Sequence, residues 1–184
     1  MGVNMKRGML VAMLALAPCG VGTQVRAAEP GTQDARNTCN GAMAELPDDL
    51  RDWAAPAPVM AAVNGAGMKN VILMPGRAVM ARLHPVEEVK YALPPTHPAA
   101  QGSSGGMVVF EAPMPGTYRI MLGARAWLDV VRAGEAIASV HHEHGPVCSG
   151  IGKMVDFELP AGRSVIELSA GTGPEIEIMV IAVP

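Results

Sequence analysis

The stretch MVDFELPAGRSVIELS, residues 154–169, contains two short runs of alternating apolar and polar side chains, separated by the turn residues Pro160-Ala161-Gly162. In the first run, Val155 and Phe157 fall on one face of an extended chain and Asp156 falls on the other. An alternation with a period of two is typical of a β-strand that buries one face. The stretch therefore predicts two strands joined by a tight turn, with Asp156 on the exposed face.

The same alternation recurs, between turns rich in Pro and Gly, over residues 78–84, 86–93, 107–111, 117–122, 127–132, 135–142 and 175–183. Short strands with frequent turns indicate an antiparallel β-sandwich or jelly roll. We predict an all-β domain of about eight strands over residues 71–184, preceded by an irregular N-terminal arm over residues 28–70. Trp53 is expected to pack this arm against the domain, and Asp129 is interpreted as an exposed strand-surface carboxylate.

Composition excludes several classes of protein. The chain has 184 residues, of which 49% are hydrophobic, and its net charge is −3. A nucleic-acid-binding protein would be expected to carry a basic patch, so we predict that nucleic acid is not a partner. Aromatic residues make up 3% of the chain, which argues against a stacking surface for single strands. A protein or small molecule remains as the expected partner.

The first 27 residues have the pattern of a secretory signal peptide. Lys6 and Arg7 precede an apolar run over residues 9–17, and Val25-Arg26-Ala27 has small residues at the positions expected before a cleavage site. The run is too short to span a bilayer as a helix, and no later segment reaches that length. We therefore predict a soluble protein that is periplasmic or secreted.

A lipid anchor is the competing interpretation of the same region, because residues 16–19 read LAPC. Lipidation motifs require a small residue before the cysteine, and Pro18 does not fit that position, so we do not expect a lipid anchor at Cys19. Removal of the signal peptide leaves Cys39 and Cys148. Two cysteines in an exported protein predict one disulfide, which would close a loop of more than 100 residues.

One segment concentrates residues that bind metal ions. Residues 141–148 read HHEHGPVC and contain three of the five histidines. Imidazole is a strong ligand for Zn and Cu. In an extended strand, His142 and His144 would point to the same side, so we place a candidate site for Zn or Cu at His141, His142 and His144.

The further ligands that could complete this site are Glu143, Cys148, His84 and His97. A disulfide and a metal–thiolate bond exclude each other at Cys148, and an oxidising compartment favours the disulfide. The alternative is a solvated polar loop that holds no metal ion. No other cofactor is predicted.

Two stretches share an outline of strand, Pro/Gly turn and strand: FEAPMPGTYRI, residues 110–120, and FELPAGRSVI, residues 157–166. Together with the motifs around Trp127 and Gly134, this layout resembles the bacterial pre-peptidase C-terminal domains over roughly residues 107–183. Those domains are small secreted β-sandwiches that accompany extracellular enzymes. The resemblance implies a binding or accessory module rather than an enzyme.

A second resemblance gives the alternative. His142-x-His144, with Gly134 before it and Pro160-x-Gly162 after it, resembles part of the signature of the cupins. Cupins are jelly rolls that hold a metal ion and include dioxygenases, although Cys148 stands here where the ligand Glu would be. The sequence thus favours an exported, non-enzymatic accessory or binding protein. A degenerate cupin-like metal-dependent enzyme and a purely structural secreted module are the alternatives.

Overall fold

The computed structural model describes Cys39 and residues 44–184. Within this part of the chain lie three short 3-10 helices, Asp48–Ala54, Gly67–Asn70 and Val86–Glu88. Twelve strands lie there too: β1 (Ala57–Met60), β2 (Ile72–Leu73), β3 (Val79–Arg82), β4 (His84–Pro85), β5 (Ser104–Ala112), β6 (Gly116–Leu122), β7 (Trp127–Arg132), β8 (Glu135–Ile137), β9 (Ser139–Glu143), β10 (Lys153–Leu159), β11 (Gly162–Gly171) and β12 (Glu175–Ala182).

The strands form two sheets, and the predicted all-β sandwich is confirmed. The first sheet has the order β1-β3-β12-β6-β10-β9, and the second has the order β2-β5-β11-β7-β8, with β4 also paired to β5. Two pairs, β1–β3 and β2–β5, are parallel, although all pairs were expected to be antiparallel. The count exceeds the predicted eight because strands as short as β2 and β4 contain too few residues to show alternation. β1 belongs to the first sheet, although its residues lie in the range predicted to be an irregular arm.

The main core lies between the two sheets. The alternation in residues 154–169 sends Val155 and Phe157 of β10 inward from the first sheet, and Ile166 and Leu168 of β11 inward from the second. All four side chains are at most 5% exposed. Burying each large apolar side chain stabilises the fold by roughly 1.5–3 kcal/mol, so this face-to-face packing is the main source of stability.

A second apolar cluster covers the outer face of the first sheet. The 3-10 helix Asp48–Ala54 places Trp53 against Met121, Met154 and Met179, which project from three adjacent strands. Trp53 is 2% exposed. The prediction that Trp53 packs this N-terminal segment against the domain is therefore confirmed.

Residues 86–93 do not form the predicted strand. The segment begins with the 3-10 helix Val86–Glu88 and then continues without strand pairing. The backbone N–H groups of Ala92 and Leu93 donate to Oε1 of Glu167 at 2.6 and 3.2 Å, and the hydroxyl of Tyr91 donates to the carbonyl of Leu168 at 2.8 Å. The segment therefore lies against the outer face of the second sheet, held there by the side chains of Glu167 and Tyr91 rather than by a strand ladder.

Residues 135–142, predicted as one strand, are divided between the two sheets. β8 pairs with β7 of the second sheet as far as Ile137, and β9 pairs with β10 of the first sheet from Ser139 onward. Ala138 lies at the break. The chain thus crosses between sheets on the side of the sandwich where the candidate site lies.

The predicted disulfide between Cys39 and Cys148 is present, with Cα atoms 5.4 Å apart and a sequence separation of 109. The predicted signal peptide, residues 1–27, and Cys19 lie outside the described residues. Within the described residues, no helix has the length and apolar character required to cross a membrane.

Candidate functional site

His141 and Glu143 lie on the outer face of the first sheet, in a charged cluster with Arg119 and Asp156. The Arg119 guanidinium donates to both oxygens of Asp156 at 2.7 and 2.8 Å, and a third nitrogen lies 3.0 Å from Oε1 of Glu143. Nε2 of His141 is 3.9 Å from the same oxygen. The hydrogen bonds from Arg119 lower the pKa of Asp156. Asp156 is 5% exposed, so its predicted exposure is wrong, because Arg119 of the neighbouring strand covers it.

His142 and His144, predicted to point to the same side, have different surroundings. His142 lies opposite Val155 in the pairing of β9 with β10, and it lines the cavity described below. β9 ends at Glu143, so the alternation that would have aligned His144 with His142 stops one residue too early. Nδ1 of His144 is instead 3.0 Å from the carbonyl oxygen of Gly152.

Of the additional ligands predicted for a metal ion, Glu143 lies beside His141, whereas the other three have different partners. Nε2 of His84 is 2.9 Å from the carbonyl of Ala61, and the ring of His97 stacks on Trp127 at 4.6 Å. Cys148 forms the disulfide with Cys39, which is the alternative that the sequence favoured over a metal–thiolate bond at this residue. Among the described residues, no group of three or more His, Cys, Asp or Glu side chains is placed to hold a metal ion.

A cavity of about 610 Å³ opens between the two sheets where the chain crosses from β8 to β9. Its volume falls within the range of roughly 300–1,000 Å³ that is typical of small-molecule sites. Both sheets contribute to its apolar wall, which includes Leu128, Ile137, Val155 and Phe157. The polar residues that line it are Thr96, Asp129, Ser139, His142 and Lys153.

Lys153 is the first residue of β10, and alternation places its side chain on the same face as Val155 and Phe157. Its Nζ lies 3.5 Å from the carbonyl of Ala126 and 5.5 Å from the centre of the Trp127 ring. The side chain is half-buried, and this burial lowers the pKa of Lys153, against a smaller opposing effect of the Asp129 charge. None of the ion pairs in the described part of the chain involves Lys153.

Trp127 forms the rim of the cavity, and hydrogen bonds fix its orientation. Its indole N–H donates to Oγ1 of Thr96 at 2.8 Å and to Oδ1 of Asp129 at 3.2 Å. Thr96 in turn donates to Asp129 through both its backbone N–H and its hydroxyl. Asp129 is 9% exposed, so its predicted exposure is wrong, because the loop that contains Thr96 covers it.

A second cavity, of about 690 Å³, lies beside the disulfide and is lined by residues 144–148 and 150–152 together with Cys39. Although larger, it is walled mainly by a single loop, and none of its lining residues in the described chain is Asp, Glu, Lys or Arg. The cavity between the sheets combines an apolar wall with several polar groups from separate elements. That combination is typical of a binding site, and we therefore take this cavity as the candidate site.

Sequence reasoning singled out four residues of this site for other roles: His142 as a metal ligand, Asp129 as an exposed carboxylate, and Val155 and Phe157 as the buried face of a strand. It did not single out Lys153 or Thr96, and it used Trp127 only as part of a predicted strand and of a layout that resembles a known family. The available signal was a lysine at the start of an alternating run, on the face that becomes buried. That signal is weak, because it indicates a binding residue only once β7 and β10 are known to face each other.

No family model matches this chain, and no curated protein matches it. The assignment of the site therefore rests on the geometry of the chain itself.

Proposed function

We propose that this protein is an exported, non-enzymatic binding protein whose cavity between the sheets holds a small organic molecule with an apolar body. The observation that carries the proposal is the cavity of about 610 Å³ with its wall of Leu128, Ile137, Val155 and Phe157. An apolar wall with a few fixed polar groups favours binding of a ligand by burial of apolar surface.

Export is supported by the disulfide between Cys39 and Cys148, because such bonds persist in oxidising compartments. The signal-peptide pattern of residues 1–27 supports the same location. A metal ion is not part of the proposal: His142 and His144 line different cavities. For the same reason, the cupin-like alternative lacks the convergent ligands that its chemistry requires.

The proposal is tested by titrating the protein with N-phenyl-1-naphthylamine, a neutral apolar probe that becomes fluorescent on leaving water. For this probe, with about seventeen heavy atoms at roughly 0.3 kcal/mol per atom, we expect a dissociation constant on the order of 0.1 mM. Ala138 lies at the crossing between β8 and β9 and lines the cavity. The variant Ala138→Phe should fill the cavity and weaken binding about tenfold or more.

The matched control is Ala161→Phe, which adds the same ring to an exposed turn that does not line the cavity. Its affinity for the probe should equal that of the unsubstituted protein. Absence of binding to the unsubstituted protein would overturn the proposal. So would equal binding by the Ala138→Phe variant.

A further inference from the structure

The geometry points to an amphipathic anion as the ligand: we infer that the cavity takes a small molecule with an apolar body and one anionic oxygen group, held by the ammonium group of Lys153. This inference rests on the proposed function and adds the chemical class of the ligand. It follows from the position of Lys153, its partners, and the state of the neighbouring carboxylate.

The position of Lys153 sets the geometry. The side chain projects from the same face of β10 as Val155 and Phe157, which form part of the apolar wall. The ammonium group therefore stands at one end of an apolar surface. A ligand that packs on the apolar wall of the cavity would bring a polar end group to Lys153.

The partners of Lys153 leave it able to bind an anion. Within the described residues, its hydrogen bond is a long one, 3.5 Å to the carbonyl of Ala126, and it forms no ion pair there. An ammonium group has three donors, and the Trp127 ring at 5.5 Å accepts none of them as a conventional hydrogen bond. A half-buried cation in this state gains from a charge-assisted hydrogen bond to a ligand.

The neighbouring carboxylate of Asp129 forms no ion pair with Lys153 within the described residues. Oδ1 of Asp129 accepts hydrogen bonds from the Thr96 hydroxyl and the Trp127 indole, and Oδ2 accepts from the Thr96 backbone. Both carboxylate oxygens of Asp129 are thus hydrogen-bonded to Thr96 of the loop that covers the second sheet. Its charge raises the pKa of Lys153 less than burial lowers it, so Asp129 only partly offsets the cost of burying this cation.

His142 adds a second nitrogen group to the same cavity. Its ring lies on the edge strand β9, opposite Val155. An imidazole N–H can donate to an anionic oxygen. A ligand held by both residues would place its anionic group at the open edge of the sandwich and its apolar body against the core.

The test compares two probes with the same ring system: 1-anilinonaphthalene-8-sulfonate, which is anionic, and N-phenyl-1-naphthylamine, which is neutral. The unsubstituted protein should bind the anionic probe more tightly. In Lys153→Met, affinity for the anionic probe should fall about tenfold or more, and the preference for the anionic over the neutral probe should be lost. The matched control Lys69→Met removes an exposed charge that does not line the cavity, and it should leave both affinities unchanged.

A second measurement needs no substitution. Raising the salt concentration from about 50 mM to about 500 mM should weaken binding of the anionic probe and not of the neutral one, because salt screens the ion pair. If the neutral probe binds but the anionic probe is not preferred, or Lys153→Met leaves that preference intact, this inference fails and the proposed function stands. If neither probe binds, both fail.

Discussion

The carboxylates of Glu167 and Asp129 lie opposite each other on β11 and β7, and both accept backbone hydrogen bonds from the same loop. Glu167 accepts from Ala92 and Leu93, and Asp129 accepts from Thr96 at 3.1 Å. Like charges directly opposite on neighbouring strands are unfavourable. The N–H groups offset that cost, so the pair holds the loop against the sheet and places Thr96 at the rim of the cavity.

Substitution of Glu167 tests this role. Glu167→Ala should lower the free energy of unfolding by about 1–3 kcal/mol, because the N–H groups of Ala92 and Leu93 lose their acceptor. Urea unfolding at neutral pH measures the change. The control Glu158→Ala removes an exposed carboxylate and should change stability by less than about 0.5 kcal/mol. Equal stability of the two variants would contradict the role given to Glu167.

Glu177 should make stability depend on pH. Its Oε1 is buried and has no hydrogen-bond partner among the described residues, and burial raises its pKa from 4.5 to about 7. The folded state therefore favours the protonated form of Glu177. The stability that protonation of Glu177 contributes is complete below pH 4.5 and is lost as the pH rises through about 7.

The variant Glu177→Gln mimics the protonated form. At about pH 8 it should be more stable than the unsubstituted protein by about 1–2 kcal/mol, after allowance for solvent screening, and the difference should vanish near pH 4. Thermal unfolding across this pH range measures the difference. Glu175→Gln, on an exposed carboxylate two residues away, should not reproduce the pattern. A difference that does not vary with pH would refute the assignment.

The sequence predicted what depends on local periodicity and missed what depends on distant contacts. Alternation in residues 154–169 and the number of cysteines were sufficient for the sandwich and the disulfide. Residues 86–93 alternate equally well, yet their backbone bonds to Glu167, a residue far along the chain. Likewise, the site depends on Lys153 and Trp127 meeting across two sheets, and no spacing within the sequence encodes that meeting.

The disulfide should contribute substantially to stability. It joins residues 109 positions apart, and closing a loop of that size is expected to stabilise the fold by about 4–5 kcal/mol through the entropy of the unfolded chain. Reduction of the folded protein should lower the free energy of unfolding by up to this amount in urea titrations. The double variant Cys39→Ser/Cys148→Ser should be insensitive to reductant. A reductant effect that persists in this variant would show that another process is responsible.

The cluster around Arg119 gives the last prediction, because its charged hydrogen bonds to Asp156 are expected to stabilise the fold rather than to bind a ligand. Asp156→Asn should destabilise the fold by about 1–3 kcal/mol at neutral pH, since it weakens the paired hydrogen bonds to Arg119. The pKa of Asp156 lies below 3.8, so its charged form stabilises the fold above pH 3.8 and this contribution is lost as the pH falls through the folded pKa.

The difference in free energy of unfolding between Asp156→Asn and the unsubstituted protein should therefore become smaller as the pH is lowered. Urea unfolding at a series of pH values measures it. The exposed neighbour Glu158 lies on the same strand. The control Glu158→Gln should have the same free energy of unfolding as the unsubstituted protein across this pH series. Binding of the neutral probe to Asp156→Asn should be unchanged, because Asp156 faces away from the cavity. Loss of probe binding in a folded Asp156→Asn variant would instead couple the outer face of the first sheet to the cavity.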